Sequence, residues 1–570
     1  MKKDKTIRDA FGENPQLSNN QGVSRRAFVG GAATAATIVA ASLMTGSIVG
    51  CTPDSKTGDK VTTGGSAAID GNGSAFTSSN PDWELPAFSE VADEAIDTEI
   101  VIVGGGMGGM AAALTAAEGG AKVVLVEKNG SLGAGTSFAE GIFAVESPLQ
   151  EELGIKANVR QMLQLEYAFQ RYIVNSTLWN VVATNSPTDI RWLMDQGVEF
   201  SELGGGSTIA EMRTQHMYLE HRGANALAVM EEKALNLGIE IRKSTRATHI
   251  LKDGDKIVGI QAISDGSVLN INAKAVIMAS GGVGGNRDLI NAYTNRNADN
   301  MYWCGGPNVT GDGIMMVSEA GMGKPYRISA PGLGMTVEPL GVSSELAAAG
   351  AMEPTNLWVN QDAVRFTNEA LTRTYIYALN ACDSQLKTFS VFDQTSFDRF
   401  MNEGCKMGWG FYVNKGTKLT QLQKELDREL SGKNPFVFTA DTLEELARKM
   451  GIDPTTFKAT VDEYNGIVAA QEDPLFGKDP AFLVEVKTPP FYGFRIKSSV
   501  VQWLGGIHIN RNGEVITTDG TVLPGLYAAG IDCAGFQGET YGLTIPGSCQ
   551  GIALGMGRQS ARSAVAYVKS

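Results

Sequence analysis

The sequence predicts an α/β fold, and three stretches carry that expectation. "TEIVIVGGGMGGMAAALTAAEGGAKVVLVEK" holds an apolar strand (Glu99 to Val103), a glycine run, a small-residue helix from Met107 to about Glu118, and a second strand from Lys122 to Val126. "KAVIMASGGVGGN" (Lys274 to Asn286) is a strand ending in glycines, and "LPGLYAAGIDCAG" (Leu523 to Gly535) repeats that design near the end of the chain. Strand, turn, helix and strand at this spacing build a parallel sheet.

At 570 residues the chain is too long for one simple core, so two or three structural units are expected. Its 68 glycines exceed average usage and point to many close backbone approaches. Lys and Arg number 48 against 62 Asp and Glu, and the resulting net charge of −14 argues against a nucleic-acid partner.

The first 51 residues read as an address. In "SRRAFVG" (Ser24 to Gly30), Arg25 and Arg26 precede a weakly apolar Gly/Ala/Thr stretch that ends in "SIVGC", a pattern that resembles a twin-arginine export signal. Ile48-Val49-Gly50-Cys51 resembles a lipobox, in which the Cys51 thiol is acylated; a membrane-anchoring helix or an ordinary cleaved peptide would leave a similar trace. Residues 52–96 read as a flexible linker, richest in Gly, Ser, Thr and Asp up to about Ser79. Beyond the signal no run of 18 apolar residues occurs, so the expected location is extracytoplasmic, with attachment to the cell-envelope membrane through Cys51.

Gly104-x-Gly106-x-x-Gly109 is the strongest motif. Gly104 allows the tight turn, Gly106 lets backbone N–H groups reach a pyrophosphate at the positive helix end, with Gly108 in the same turn, and Gly109 permits close helix-to-strand packing. Glu127 ends the second strand, where it can accept from both ribose hydroxyls, and Lys128 stands beside it. Strand, glycines, helix, strand and terminal acid in register describe a Rossmann-like dinucleotide site.

"GSLGAGTSFAEGIFA" (Gly130 to Ala144) resembles the segment that runs along the flavin in the fumarate reductase and succinate dehydrogenase flavoprotein family. The other stretches follow in the family's order, and the resemblance spans roughly residues 97 to 570. It implies a Rossmann-like FAD-binding domain in two parts, 97–328 and 501–570, interrupted by an α+β clamp (capping) domain at 329–500, with the active site between them. It also implies FAD contacts from Gly133, Thr136, Ser137 and Gly141, from Ser280, Gly281 and Gly282, and from Gly530, Asp532 and Ser548. Members with covalent flavin carry a His just before the AxGG-like run; Thr136-Ser137-Phe138 has none, so the FAD is expected to be non-covalent. Neither the four histidines nor Cys304, Cys382, Cys405, Cys533 and Cys549 show metal or haem spacing, so no metal and largely buried free thiols are expected.

Within the clamp, Asp441 and Glu444 are spaced as a capping box, and Asp453-Pro454 reads as an N-cap followed by Pro at the first helical position. Pro546-Gly547-Ser548 opens the last helix, whose N–H groups could stabilise negative charge on the reduced flavin. "VNQDAVRFTNEALTR" resembles the clamp segment of soluble fumarate reductases, in which an Arg four residues after the Asn-Glu glutamate delivers a proton; Arg373 holds that place. A plain i, i+4 pair with Glu369 on a helix surface is the competing explanation.

Departures from the family are equally informative. Where dicarboxylate reductases grip substrate with an Arg and two His, this sequence aligns Thr544, Gln502 and Ala330, and the Glu-x-x-Arg relay has no counterpart around Ala347 to Glu353. A bidentate Arg is the strong grip on a carboxylate, so its loss argues against fumarate. What remains is neutral and partly aromatic: Gln502, Trp503, Phe536, Tyr541 and Thr544, with Tyr375 and Tyr377 as weaker candidates. Tyr541 either donates its phenol to a substrate carbonyl or packs structurally. The expected activity is an exported FAD-dependent reductase of an activated C=C bond in a small or medium organic acceptor, with hydride from FADH2 N5 and a proton from Arg373. No haem motif or flavinylation segment occurs, which implies a separate membrane-associated donor, a cytochrome or a flavinylated protein. A 3-ketosteroid-type dehydrogenase, whose members carry Tyr where Arg373 stands, and a non-catalytic flavin- or ligand-binding lipoprotein are the alternatives.

Overall fold

A computed structural model describes residues 80–570 apart from 205–212, 307, 330–331, 342, 374, 409–412, 539–540 and 542–544. The twin-arginine segment, Cys51, Ala330 and Thr544 lie outside the described residues, as do the side chains of Arg373 and Tyr375.

The organising element is a six-stranded sheet. Along the chain its parts are β1 (Ile100–Val103), α1 (Met107–Glu118), β2 (Val123–Val126), β3 (Glu240–Arg242), β4 (Ala275–Met278), β5 (Glu514–Ile516), β6 (Val522–Ala528) and α2 (Ser548–Lys569). The strand order is β5-β6-β4-β1-β2-β3, every neighbouring pair being parallel except β5 with β6. Every residue of β1, β2 and β4 is buried, which is why these strands read as unbroken apolar runs rather than as an alternation. α1 is built of small residues because α2 lies directly on it: a Cβ on Gly557 would stand 2.4 Å from the Gly108 carbonyl oxygen. Beside this layer, Thr245–Asp253, Lys256–Ser264 and Ser267–Asn272 form an antiparallel meander, with Glu94–Asp97 added on its edge.

The segment expected to interrupt this domain has a core of its own. Leu357–Asn360, Thr388–Asp393, Phe491–Arg495 and Val437–Ala440 make an antiparallel sheet, and four helices flank it: Gln394–Asn402, Leu422–Ser431, Leu443–Met450 and Pro454–Ala470. Two apolar clusters are drawn wholly from residues between 335 and 496. Asp453 caps its helix by accepting from the Thr456 N–H, with Pro454 at the first position, as its pattern predicts. The capping box read at Asp441 and Glu444 is displaced by one residue: Thr442 is the cap and accepts from the Glu445 N–H. Both residues can cap, and the register that buries Leu446, Ala447 and Met450 decides between them.

Candidate active site

The carboxyl ends of β1, β4 and β6 converge, as open α/β sheets arrange their ligand sites. After β1, Gly104 turns at φ +107°, where a Cβ would meet the Ala279 carbonyl oxygen at 2.2 Å; a Cβ on Gly109 would stand 1.8 Å from the Gly104 oxygen. Gly106, the N-cap of α1, has no side chain to cap it; the Met107 N–H donates to the Thr136 hydroxyl at 3.0 Å, and the helix N-terminus still favours negative charge. After β4, the second glycine loop is tied to the loop after β6. Asp532, fully buried, accepts from the Ser280 N–H, from the Ser280 hydroxyl at 2.9 Å and from the Gly282 N–H at 2.7 Å. Its carboxylate therefore shapes the loop and stands behind it.

Together these loops wall an open cleft of about 1000 Å³, counting the space that is continuous with solvent. Of the residues singled out from sequence, Gly104, Gly106, Gly108, Glu127, Lys128, Thr136, Ser280, Gly281, Gly530 and Gln502 line it. Gly109, Gly133, Ser137, Gly141, Gly282, Asp532 and Ser548 are not part of the lining. Glu127 is nearly buried; it accepts from the Gly105 N–H at 2.8 Å and from the Asn129 N–H at 2.8 Å. Beside it sits a charged knot that the sequence did not reveal. Arg246 forms a two-point pair with Asp312 at 2.8 and 3.1 Å, and Lys128 reaches the same carboxylate at 3.1 Å. Burial holds the Lys128 ammonium below its usual pKa, against the pull of Asp312.

The far end of the cleft differs in kind. Gln502 and Gln550 line it, and the side-chain carbonyl oxygen of each is buried without a hydrogen-bond partner. Gln550 occupies the first turn of α2, whose N-cap, Gly547, also lacks a side-chain acceptor. Tyr541 is buried nearby; the Ser548 hydroxyl donates to its oxygen at 3.2 Å. Burial raises its phenol pKa well above the usual value, so the proton stays on. Phe536 is locked in the core against Trp179, whose indole N–H donates to the Phe536 carbonyl at 2.6 Å. Trp503 turns away from Gln502 and lines a neighbouring cavity. Tyr377 is 46% exposed on its helix.

Arg373 closes a 3₁₀ turn, Glu369–Arg373. Glu369 is fully buried, and Arg365 grips both its oxygens at 2.8 Å. Lys478 stands 3.2 Å away, and Asp473 takes a further Arg365 N–H at 2.8 Å. Burial opposes ionisation of Glu369, but Lys478 and Arg365 outweigh it and hold the carboxyl below the usual range. A surface pair of Glu369 with Arg373 is therefore the wrong description: the acid is interior, already engaged, and in a 3₁₀ turn rather than an α-helix.

The cleft fits FAD on the chemistry of its own walls. Gly135 and Gly281 present backbone faces where a Cβ would meet nothing within 4 Å, and the α1 terminus suits a pyrophosphate. Glu127 is placed for a ribose, and the two glutamines Gln502 and Gln550 line the cleft with neutral amides.

The family model described as FAD binding domain matches residues 99–542. A vinyl phenol reductase of Lactiplantibacillus plantarum is 35% identical over 82% of this chain and 96% of its own. A urocanate reductase of Eggerthella lenta is 27% identical over 80% of this chain and 72% of its own. Among solved structures, the open form of a flavocytochrome c3 fumarate reductase superposes with a TM-score of 0.62 at 22% identity, covering 84% of this chain and 79% of that one. A 3-ketosteroid Δ1-dehydrogenase of Sterolibacterium denitrificans gives 0.63 at 18%, covering 82% and 99%. The match to the family model and the glycine, acid and amide groups around the cleft lead to one conclusion: the chain belongs to the FAD-dependent fumarate reductase and succinate dehydrogenase flavoprotein family of oxidoreductases.

Proposed function

We propose that this flavoprotein reduces an activated carbon–carbon double bond in a small or medium organic acceptor that is not a dicarboxylate. One observation carries the reading: charge in the cleft is segregated. Among the described lining residues Glu127, Lys128, Arg246 and Asp312 are the charged ones, all gathered at the ribose end, while the Gln502 end is neutral. A substrate with two carboxylates would need cations there beyond the one guanidinium assigned below to proton delivery. The vinyl phenol reductase relative supports an aromatic, weakly charged acceptor.

FAD, bound non-covalently and reduced, supplies the hydride. The chain's own contribution is to hold the alkene and to protonate the carbon that becomes basic. Arg373 is assigned that proton: a guanidinium's pKa is above about 12, which is matched by a carbanion or enolate but by few weaker bases. The buried cluster beneath the 369–373 turn fixes the backbone that carries it. Tyr541, kept protonated by burial, orients a substrate carbonyl through its O–H. Electrons arrive from a separate donor, and the twin-arginine-like segment with Cys51 supports a location at the envelope. The test is anaerobic reoxidation of the reduced protein by vinylphenols, cinnamates, urocanate, enones, steroids and fumarate. A steroid that reduces the oxidised protein, with no alkene reoxidising the reduced one, would favour the dehydrogenase direction instead.

A further inference from the structure

The helix Tyr375–Asp383 begins just after the Glu369–Arg373 turn and belongs to two cores at once. Ile376 packs into the apolar cluster that also holds Val101 of β1 and Val276 of β4, whereas Ala378 and Cys382 pack into a cluster of the interrupting segment. Where this helix lies against the FAD-binding part therefore sets where Arg373, at its head, stands. The buried cluster of Arg365, Glu369, Asp473 and Lys478 cannot settle that, because all four belong to the interrupting segment itself.

The far end of the helix is tied across the boundary by charge. Arg296 stands in the FAD-binding part, between Arg287–Tyr293 and Ala298–Asn300, and forks over the helix. Its Nη1 donates to the Asp383 carboxylate at 2.6 Å and its Nη2 to the Asn380 side-chain oxygen at 3.0 Å. The Ser498 hydroxyl donates to the other Asp383 oxygen at 3.2 Å. Both ions are largely withdrawn from solvent, with side-chain exposures of 15% and 7%, so losing either partner would strand the other's charge. A second tie runs alongside: the Asn300 amide donates to the Gln385 carbonyl at 2.8 Å, and its oxygen accepts from Arg495 at 2.9 Å.

We propose that Arg296 and Asp383 are positioning residues, whose ion pair fixes the bridging helix against the FAD-binding part and thereby sets the 369–373 turn, with Arg373, for turnover. The role of Arg373 rests on the function above; the placement of the turn does not. Burial pushes the Asp383 carboxyl up to about 6 against the pull of Arg296. The groups that bear on it are Arg296 from the loop, Ser498 from the strand Lys497–Val500, and on its own helix the Cys382 thiol, itself raised by burial and close to Arg495. Below that value the acid is neutral, the ion pair is gone, and the hold on the helix weakens.

The experiment is hydrogen exchange of the 369–383 amides in the full FAD-loaded chain without any alkene, paired with single-turnover reoxidation by 4-vinylphenol. Arg296→Met should speed exchange in that segment and slow reoxidation by about tenfold each, with FAD content unchanged, since a group displaced by an ångström loses rate on that order. Wild-type reoxidation should fall as pH drops through about 6, whereas Asp383→Asn should be slow at neutral pH and flat across that interval. Unchanged exchange in Arg296→Met, faster exchange with reoxidation at the wild-type rate, or a wild-type pH profile in Asp383→Asn would each overturn the proposal. Failure of the function above looks different: no alkene reoxidises wild type, and exchange alone then decides the positioning. Should Arg296→Met not fold, Asp383→Asn, which keeps the shape of the acid, carries both readouts.

Discussion

The two ends of the cleft are made differently. At the ribose end, backbone and side chains are fully engaged: Glu127, Lys128, Arg246 and Asp312 are tied to one another or to glycine N–H groups. At the other end Gln502 and Gln550 keep unpartnered oxygens, and the charges that steady the site are hidden beneath the 369–373 turn. A ligand that never leaves can be met by a rigid, satisfied surface. A substrate that exchanges is met by neutral groups free to re-pair.

The comparison can be broken most severely at the glycines. Gly109→Ala puts a Cβ 1.8 Å from a backbone oxygen that cannot retreat, so FAD per purified chain should fall to near zero. Full FAD occupancy in that variant would mean the turn is not what holds the dinucleotide. Next in size is Arg373→Ala, for which we expect roughly 10²- to 10⁴-fold slower turnover with FAD retained, read by single-turnover reoxidation. Glu369→Gln removes the acid from a buried cluster and leaves Arg365 and Lys478 underpaired. Loss of about 3–5 kcal/mol in denaturant unfolding is expected, with FAD affinity of the folded fraction unchanged.

The smallest effect is a pH dependence. Burial pushes the Asp473 carboxyl up, but its hydrogen bond from Arg365 outweighs this and draws the pKa down to about 2. A depressed native pKa means that the unfolded chain binds more protons, so this contribution is full above the ordinary carboxyl range near 4. It is lost as pH falls toward 2. Wild type should lose melting temperature faster than Asp473→Asn across that interval, and parallel curves would show that Asp473 is not linked to folding.

The cofactor end was largely legible because its logic is local. Strand, glycines, helix and acid lie within about thirty residues, and α1 runs from Met107 to Glu118 as its pattern predicts. Arg246 and Asp312 left no trace because they meet across 66 residues, one on a meander strand and one at a helix start. Gln550 was hidden for another reason: an amide in a helix's first turn looks like any other until α2 is placed against the cleft. Asp532 was found but given too direct a role, since sequence marks a residue near a loop without saying which side it supports. Trp503 and Gln502 are neighbours, and only the local chain path sends them into different cavities.

The central claim is that the charged lining residues belong to the cofactor end and that, apart from Arg373, the substrate meets neutral groups. Its most direct measurement is the second-order rate at which the reduced protein is reoxidised, under argon, by 4-vinylphenol and by fumarate at matched concentrations. The account expects 4-vinylphenol to be faster by at least about tenfold; fumarate as the faster oxidant would contradict it.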